Sequence, residues 1–155
     1  MRQRHVRLLA RRGFRPAASL PRVRTTRLRP IREIAARTIA LDALCAWVME
    51  DPAETPSARI RAYAARNRAT KWMTAEERAI FKLPKARVRT HVDTIGWRLE
   101  NLCALAWVLG FSPTPAVDGN TIPAKIFRAL VLRFMPGLTA TVDDLVEKAK
   151  NVASP

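Results

Sequence analysis

The chain has 155 residues, enough for one domain with a buried core, and no stretch reaches the ~18 apolar residues of a membrane span. Glycine is scarce at 5 while proline reaches 11 and falls between apolar runs, which counts against a turn-rich β architecture and suits helices separated by breaks. The net charge of +15 is concentrated: residues 1–30 hold ten arginines and no acid, and the remaining 18 basic and 13 acidic residues leave +5 for the rest.

Residues 1–29 lack sustained periodicity, and Pro16, Pro21 and Pro30 keep the chain extended, so the sequence predicts a disordered arginine-rich arm. Three readings of it stay open. It is a tail for nucleic acid or an anionic surface, with Arg2, Arg4, Arg7, Arg11, Arg12 and Arg15 as contacts. It is an organellar targeting peptide, which is also rich in arginine and poor in acid. Or it is an inert extension from an early start codon. Phe14 is its only aromatic, which argues against single-strand binding by stacking. Arginine outnumbers lysine 22 to 6, a skew that GC-rich coding also produces.

The first helix is expected from about Pro30 to Met49, with Ile31, Ile34, Ala35, Thr38, Leu41, Cys45 and Val48 at three- and four-residue steps. Ile39, Leu44 and Trp47 widen that stripe, and Asp51-Pro52 stops it. A second helix, about 57–68, has a narrow stripe of Ile60, Tyr63 and Ala64 among arginines. Trp72 follows in a loop, and Thr74-Ala-Glu-Glu77 reads as a capping box opening a third helix that Leu83-Pro84 ends.

The strongest element is expected at about 86–109, with Val88, Val92, Ile95, Leu99, Leu102, Cys103, Ala106 and Leu109 on one face. Trp97, Leu105, Trp107 and Val108 broaden that face, so the second half of this pillar is expected to be buried nearly all round, with Gly110 as its C-terminal cap. A fifth helix is expected at about 122–135, with Ile126, Phe127, Leu130, Val131 and Phe134 inward and Pro136-Gly137 breaking it. Thr141-Val-Asp-Asp144 caps a last helix at 142–151. The fold class is all-α: a single compact bundle of five or six helices, with a long central helix at about 86–109. The helical domain spans 30–151, behind the arm at 1–29 and ahead of a tail at 152–155.

Three stretches carry a family resemblance. They are Arg32-Glu-Ile-Ala-Ala-Arg37-Thr-Ile-Ala-Leu41, Trp72-Met-Thr-Ala-Glu-Glu77-Arg-Ala and Trp97-Arg98-Leu-Glu100-Asn-Leu-Cys-Ala-Leu-Ala-Trp107-Val-Leu-Gly110. In order and spacing they resemble a bacterial family known as domain of unknown function 4272, over about residues 30–111. The further C-terminal pattern of that family is not found beyond Gly110. The resemblance implies a helical, bacterial, cytoplasmic protein and no activity.

The polar residues inside the best-matched helices form the candidate cluster: Arg37, Trp97, Arg98 and Glu100. Positions two apart on a helix do not face each other, so Arg98 and Glu100 need different partners, and Glu100 is expected to pair with Arg37. Against that structural pair stands a pocket in which Arg98 or Arg37 grips an anion beside Trp97. His5 and His91 are the only histidines, and Cys45 and Cys103 lie in apolar runs, so no metal set, disulfide framework or cofactor motif is read. Glu76-Glu77 and Asp143-Asp144 read as helix N-terminal acids, and Trp47, Trp72, Trp97 and Trp107 as core. Three functions follow in order: a non-enzymatic module that binds another protein, a nucleic-acid accessory protein acting through the arm, and an enzyme or anion binder around Trp97, Arg98 and Glu100.

Overall fold

A helix buried on every side needs small or apolar residues on every face, and the first helix has them. In the computed structural model, which describes residues 29–111 and 135–153 together with Arg11 and Ala129, helix α1 (Ile31–Met49) is buried at every position from Thr38 to Val48. Ala35, Ala36, Ala40, Ala43 and Ala46 let neighbours approach closely, and Ile39, Leu41, Leu44, Trp47 and Val48 fill the space between. Around α1 pack α2 (Ser57–Arg66), the 3₁₀ turn Ala69–Trp72, α3 (Ala75–Lys82), α4 (Lys85–Val88), α5 (Val92–Val108) and α6 (Val142–Ala153). The described residues are all-α, with no strand among them.

Local chemistry sets the ends of these elements. Lys85 turns its ammonium onto the carbonyls of Ala46 and Trp47, closing the C-terminal end of α1. Helix α2 stops at Arg66, short of the expected 68, because Arg68 adopts a left-handed φ of 50°. The Asn67 amide then donates to the carbonyls of Tyr63 and Ala140 and accepts from Val142 N–H, tying this turn to α6. The long helical run is found at 85–108, with a 3₁₀ turn at Arg89–His91 where the Thr90 hydroxyl donates to the Arg87 carbonyl. It ends in a Schellman motif: Gly110, at φ 80°, donates to Trp107 and Phe111 donates to Ala106. Thr141 and Asp144 exchange hydrogen bonds as the cap of α6. The expected helix at 122–135 lies outside the described residues except for Ala129 and Met135, as does most of the arm.

Burial corrects one reading of the long run. Its second half is not enclosed: Ala104, Trp107 and Val108 are exposed, as is Val92 at its start, and Trp97 keeps 70% of its surface. The helix closed in on all sides is α1, whose alanines admit neighbours on every face.

The core also holds a carboxyl group. Asp42 is buried in α1, accepts a hydrogen bond of 2.9 Å from the Tyr63 hydroxyl, and has its pKa pushed up to about 7 by burial. Between the unfolded value of 3.8 and about 7 the unfolded chain ionises before the folded one, so this group removes stability as pH rises across that window. Asp42→Asn keeps an acceptor for Tyr63 and cannot ionise. In urea titrations it should be more stable than the parent at pH 8, with the difference closing towards pH 4; a gap that is constant with pH would contradict this.

Candidate functional site

Helix α3 opens with the capping box that the sequence announces. The Glu77 amide donates to the Thr74 hydroxyl at 3.2 Å, and the Thr74 amide donates to Glu77 Oε2 at 2.9 Å. That geometry folds the Glu77 side chain back against the bundle, where it has no exposed surface. The same carboxylate accepts a fork from Arg37 of α1, with Nη1 to Oε2 at 2.6 Å and Nη2 to Oε1 at 2.8 Å. Arg37 Nη1 also donates to the Trp72 carbonyl at 2.8 Å. From α5, Arg98 Nε reaches 3.2 Å from Glu77 Oε1, and its Nη2 lies 3.6 Å from Glu76 Oε2.

The three stretches that carry the family resemblance therefore meet at one carboxylate, and the partner of Arg37 corrects the expectation. It is Glu77, not Glu100, because the capping box fixes Glu77 at the Arg37 fork. Glu100 sits half-buried on α5, and Trp97 points away from the cluster into solvent. Burial works to raise the Glu77 pKa, but the hydrogen bonds from Arg37 and Thr74 and the charges of Arg37 and Arg98 outweigh it and hold the group below its ordinary value. Sequence reasoning missed Glu77 here because capping already accounted for it. It also missed Asp42, although Asp42 lies as deep in an apolar helix as Arg37 does.

Arg98 is held differently from Arg37. Its Nε is buried and makes no hydrogen bond, because the approach to Glu77 is misaligned. Side-chain exposure is 29% for Arg98 and 25% for Arg37, and Glu76 is far more exposed. With Arg98 turned to α3, the helical rotation of 100° per residue carries Trp97 to the outside. The outer sector of α5 then contains Asp93, Trp97, Glu100, Asn101, Ala104, Trp107 and Val108. Trp107 is 44% exposed and Val108 49%.

The remaining candidates add no reacting group to this cluster. Burial pushes the thiols of Cys45 and Cys103 up to about 12, so both stay protonated and unreactive as nucleophiles at neutral pH. Among the described residues no group of three or more His, Cys, Asp or Glu is placed to hold a metal, and no helix is long and apolar enough to cross a membrane. Of the arm contacts, Arg11 is exposed, and Arg2, Arg4, Arg7, Arg12 and Arg15 lie outside the described residues.

A family model described as Domain of unknown function (DUF4272) matches residues 1–150, taking in more of the chain at both ends than the three stretches do. No curated protein and no solved structure matches the chain.

Removing one partner of a buried ion pair leaves the other uncompensated and costs about 3–5 kcal/mol. Glu77→Gln and Arg37→Gln should each lower the urea unfolding free energy at pH 7 by about that amount. Arg98→Gln, which loses no aligned hydrogen bond, should cost about 1 kcal/mol or less. Because the folded pKa of Glu77 is depressed, its contribution is present above its unfolded value of 4.5 and lost as pH falls below it, so the deficit of Glu77→Gln should shrink under acid. Equal costs for Arg37 and Arg98 would refute the assignment.

Proposed function

The chain belongs to the domain of unknown function 4272 family, a membership that carries no activity with it, and we propose from the geometry that it is a non-enzymatic module that binds an amphipathic helix of another protein along the outer face of α5. The observation that supports this most is Trp97, 70% exposed on the outer face of the helix. Indole surface in water is unfavourable, and contiguous exposed apolar surface marks interaction sites. Tryptophan is also the residue most enriched where binding energy concentrates.

The dimensions and charges of the face define the partner. From Asp93 to Val108 the outer sector runs about 22 Å, one helix face wide, which suits a single helix laid against it. Asp93 stands on one flank of the Trp97–Ala104–Val108 strip, and the one base on α5, Arg98, faces α3 on the other side. A helix with leucine-like residues at three- and four-residue steps and arginine or lysine along one flank is complementary to that pattern.

The probe is a synthetic helical peptide of 18 residues with such a leucine stripe and one arginine flank, titrated into the full chain. Binding should blue-shift the tryptophan emission. Trp97→Ala should weaken it by at least about ten-fold, the loss of a central anchor, with little change in thermal stability. Unchanged affinity in Trp97→Ala and Trp107→Ala would end this reading. So would a large loss of stability in Trp97→Ala, because that would mean the chain covers this face itself.

A further inference from the structure

We propose that Arg98 is a receiving position for a carboxylate carried by the helix that docks on α5, an inference that rests on the function proposed above and names the second charge its partner needs. The argument starts from unequal bonding around Glu77. That carboxylate is already filled by the Arg37 fork and the Thr74 amide. Arg98 arrives as a second cation on an occupied group: its Nε is buried 3.2 Å from Glu77 Oε1 without hydrogen-bond geometry, and its Nη2 is 3.6 Å from Glu76. A guanidinium carries five N–H donors in a planar fork, and this one makes no hydrogen bond to any described residue.

The position is nevertheless fixed. The Nε end lies in the bundle beside Glu77, so the side chain is oriented before any ligand arrives. With 29% of the side chain exposed and Nη2 turned to the exposed Glu76, the fork lies at the edge of α5. Arg98 follows Trp97 directly and lies about 100° round the helix from it, on the flank opposite Asp93. A helix resting on Trp97 has one flank over Asp93 and the other over Arg98. An Asp or Glu there gives Arg98 the bidentate bonds that Glu76, at 3.6 Å, does not. Glu76 is the competitor, and its exposed, loosely held side chain is free to swing aside.

The test uses two peptides on the full chain. Both carry the leucine stripe and the arginine flank, and on the opposite flank one has glutamate and the other glutamine. The glutamate peptide should bind about ten-fold tighter, one charge-assisted pair at a half-exposed site, and the advantage should vanish in Arg98→Gln. Glu76→Gln should widen it by removing the competitor, and the buried Arg98 Nε–H resonance should shift with the glutamate peptide alone. Equal affinities for the two peptides, or an Arg98→Gln loss that is the same for both, overturns the carboxylate position and leaves the docking face standing. If neither peptide binds, both readings fall. Sodium acetate and inorganic phosphate form the control arms: if either shifts the Nε–H resonance as far as the glutamate peptide does, the position is a free-anion site and not a peptide contact.

Discussion

A carboxylate with no exposed surface stays ionised only if charges and hydrogen bonds replace the water it has lost. Glu77 satisfies that constraint by drawing on three separate parts of the chain: the Arg37 fork from α1, the Thr74 amide at the start of α3, and the charge of Arg98 from α5. None of these is adjacent to another in sequence. The fork fixes the rotational setting of α1 against the start of α3, and the charge of Arg98 draws α5 to the same point. Apolar packing alone tolerates small rotations of a helix against its neighbours, whereas a bidentate fork does not.

The outer face of α5 follows from that point. An amphipathic helix with Ile95, Leu102, Ala106 and Leu109 inward still has some freedom in how much of its flank it buries. Turning Arg98 towards α3 narrows that freedom and leaves Trp97 outside. The exposure of Trp97 is in this sense a consequence of the ion cluster: residue 97 could be buried only by rolling the helix and withdrawing Arg98 from Glu77. The same fixed setting that stabilises the bundle presents the surface proposed for binding.

Much of the fold was legible because it depends on local rules. The Thr74–Glu77 and Thr141–Asp144 caps, the Gly110 terminus and the bounds of α1 and α3 each follow from a few neighbouring residues. The match of a family model to residues 1–150 likewise agrees with the resemblance carried by the three stretches. The site was less legible, for two physical reasons. Tryptophan is mostly buried in folded proteins, so a periodicity argument puts Trp97 and Trp107 inside; only the ion pairs of their neighbour say otherwise. And Glu77 already had a sufficient local role, which hid its long-range one. Spacing along α5 correctly separated Arg98 from Glu100 but could not identify the carboxylate that Arg37 meets, because that partner comes from an element 40 residues away.

Helix α1 shows why such polar groups are kept in so enclosed a place. Three of its polar side chains point into the bundle, and each is bonded: Thr38 donates to the Ile34 carbonyl, Asp42 accepts from Tyr63 of α2, and Arg37 donates to Glu77 of α3. The first bond is internal to α1, but the other two are aimed at different neighbours from positions five residues apart. For a helix with alanine on every side, many rotations and shifts bury similar apolar area. A slip of one residue would turn Asp42 and Arg37 away from their partners by 100°, leaving the buried Glu77 carboxylate without its fork and Asp42 without the Tyr63 hydroxyl, a cost of several kcal/mol that no alanine contact opposes. The polar residues thus select one register from many that apolar burial leaves close in energy, and α5 inherits that register through Arg98.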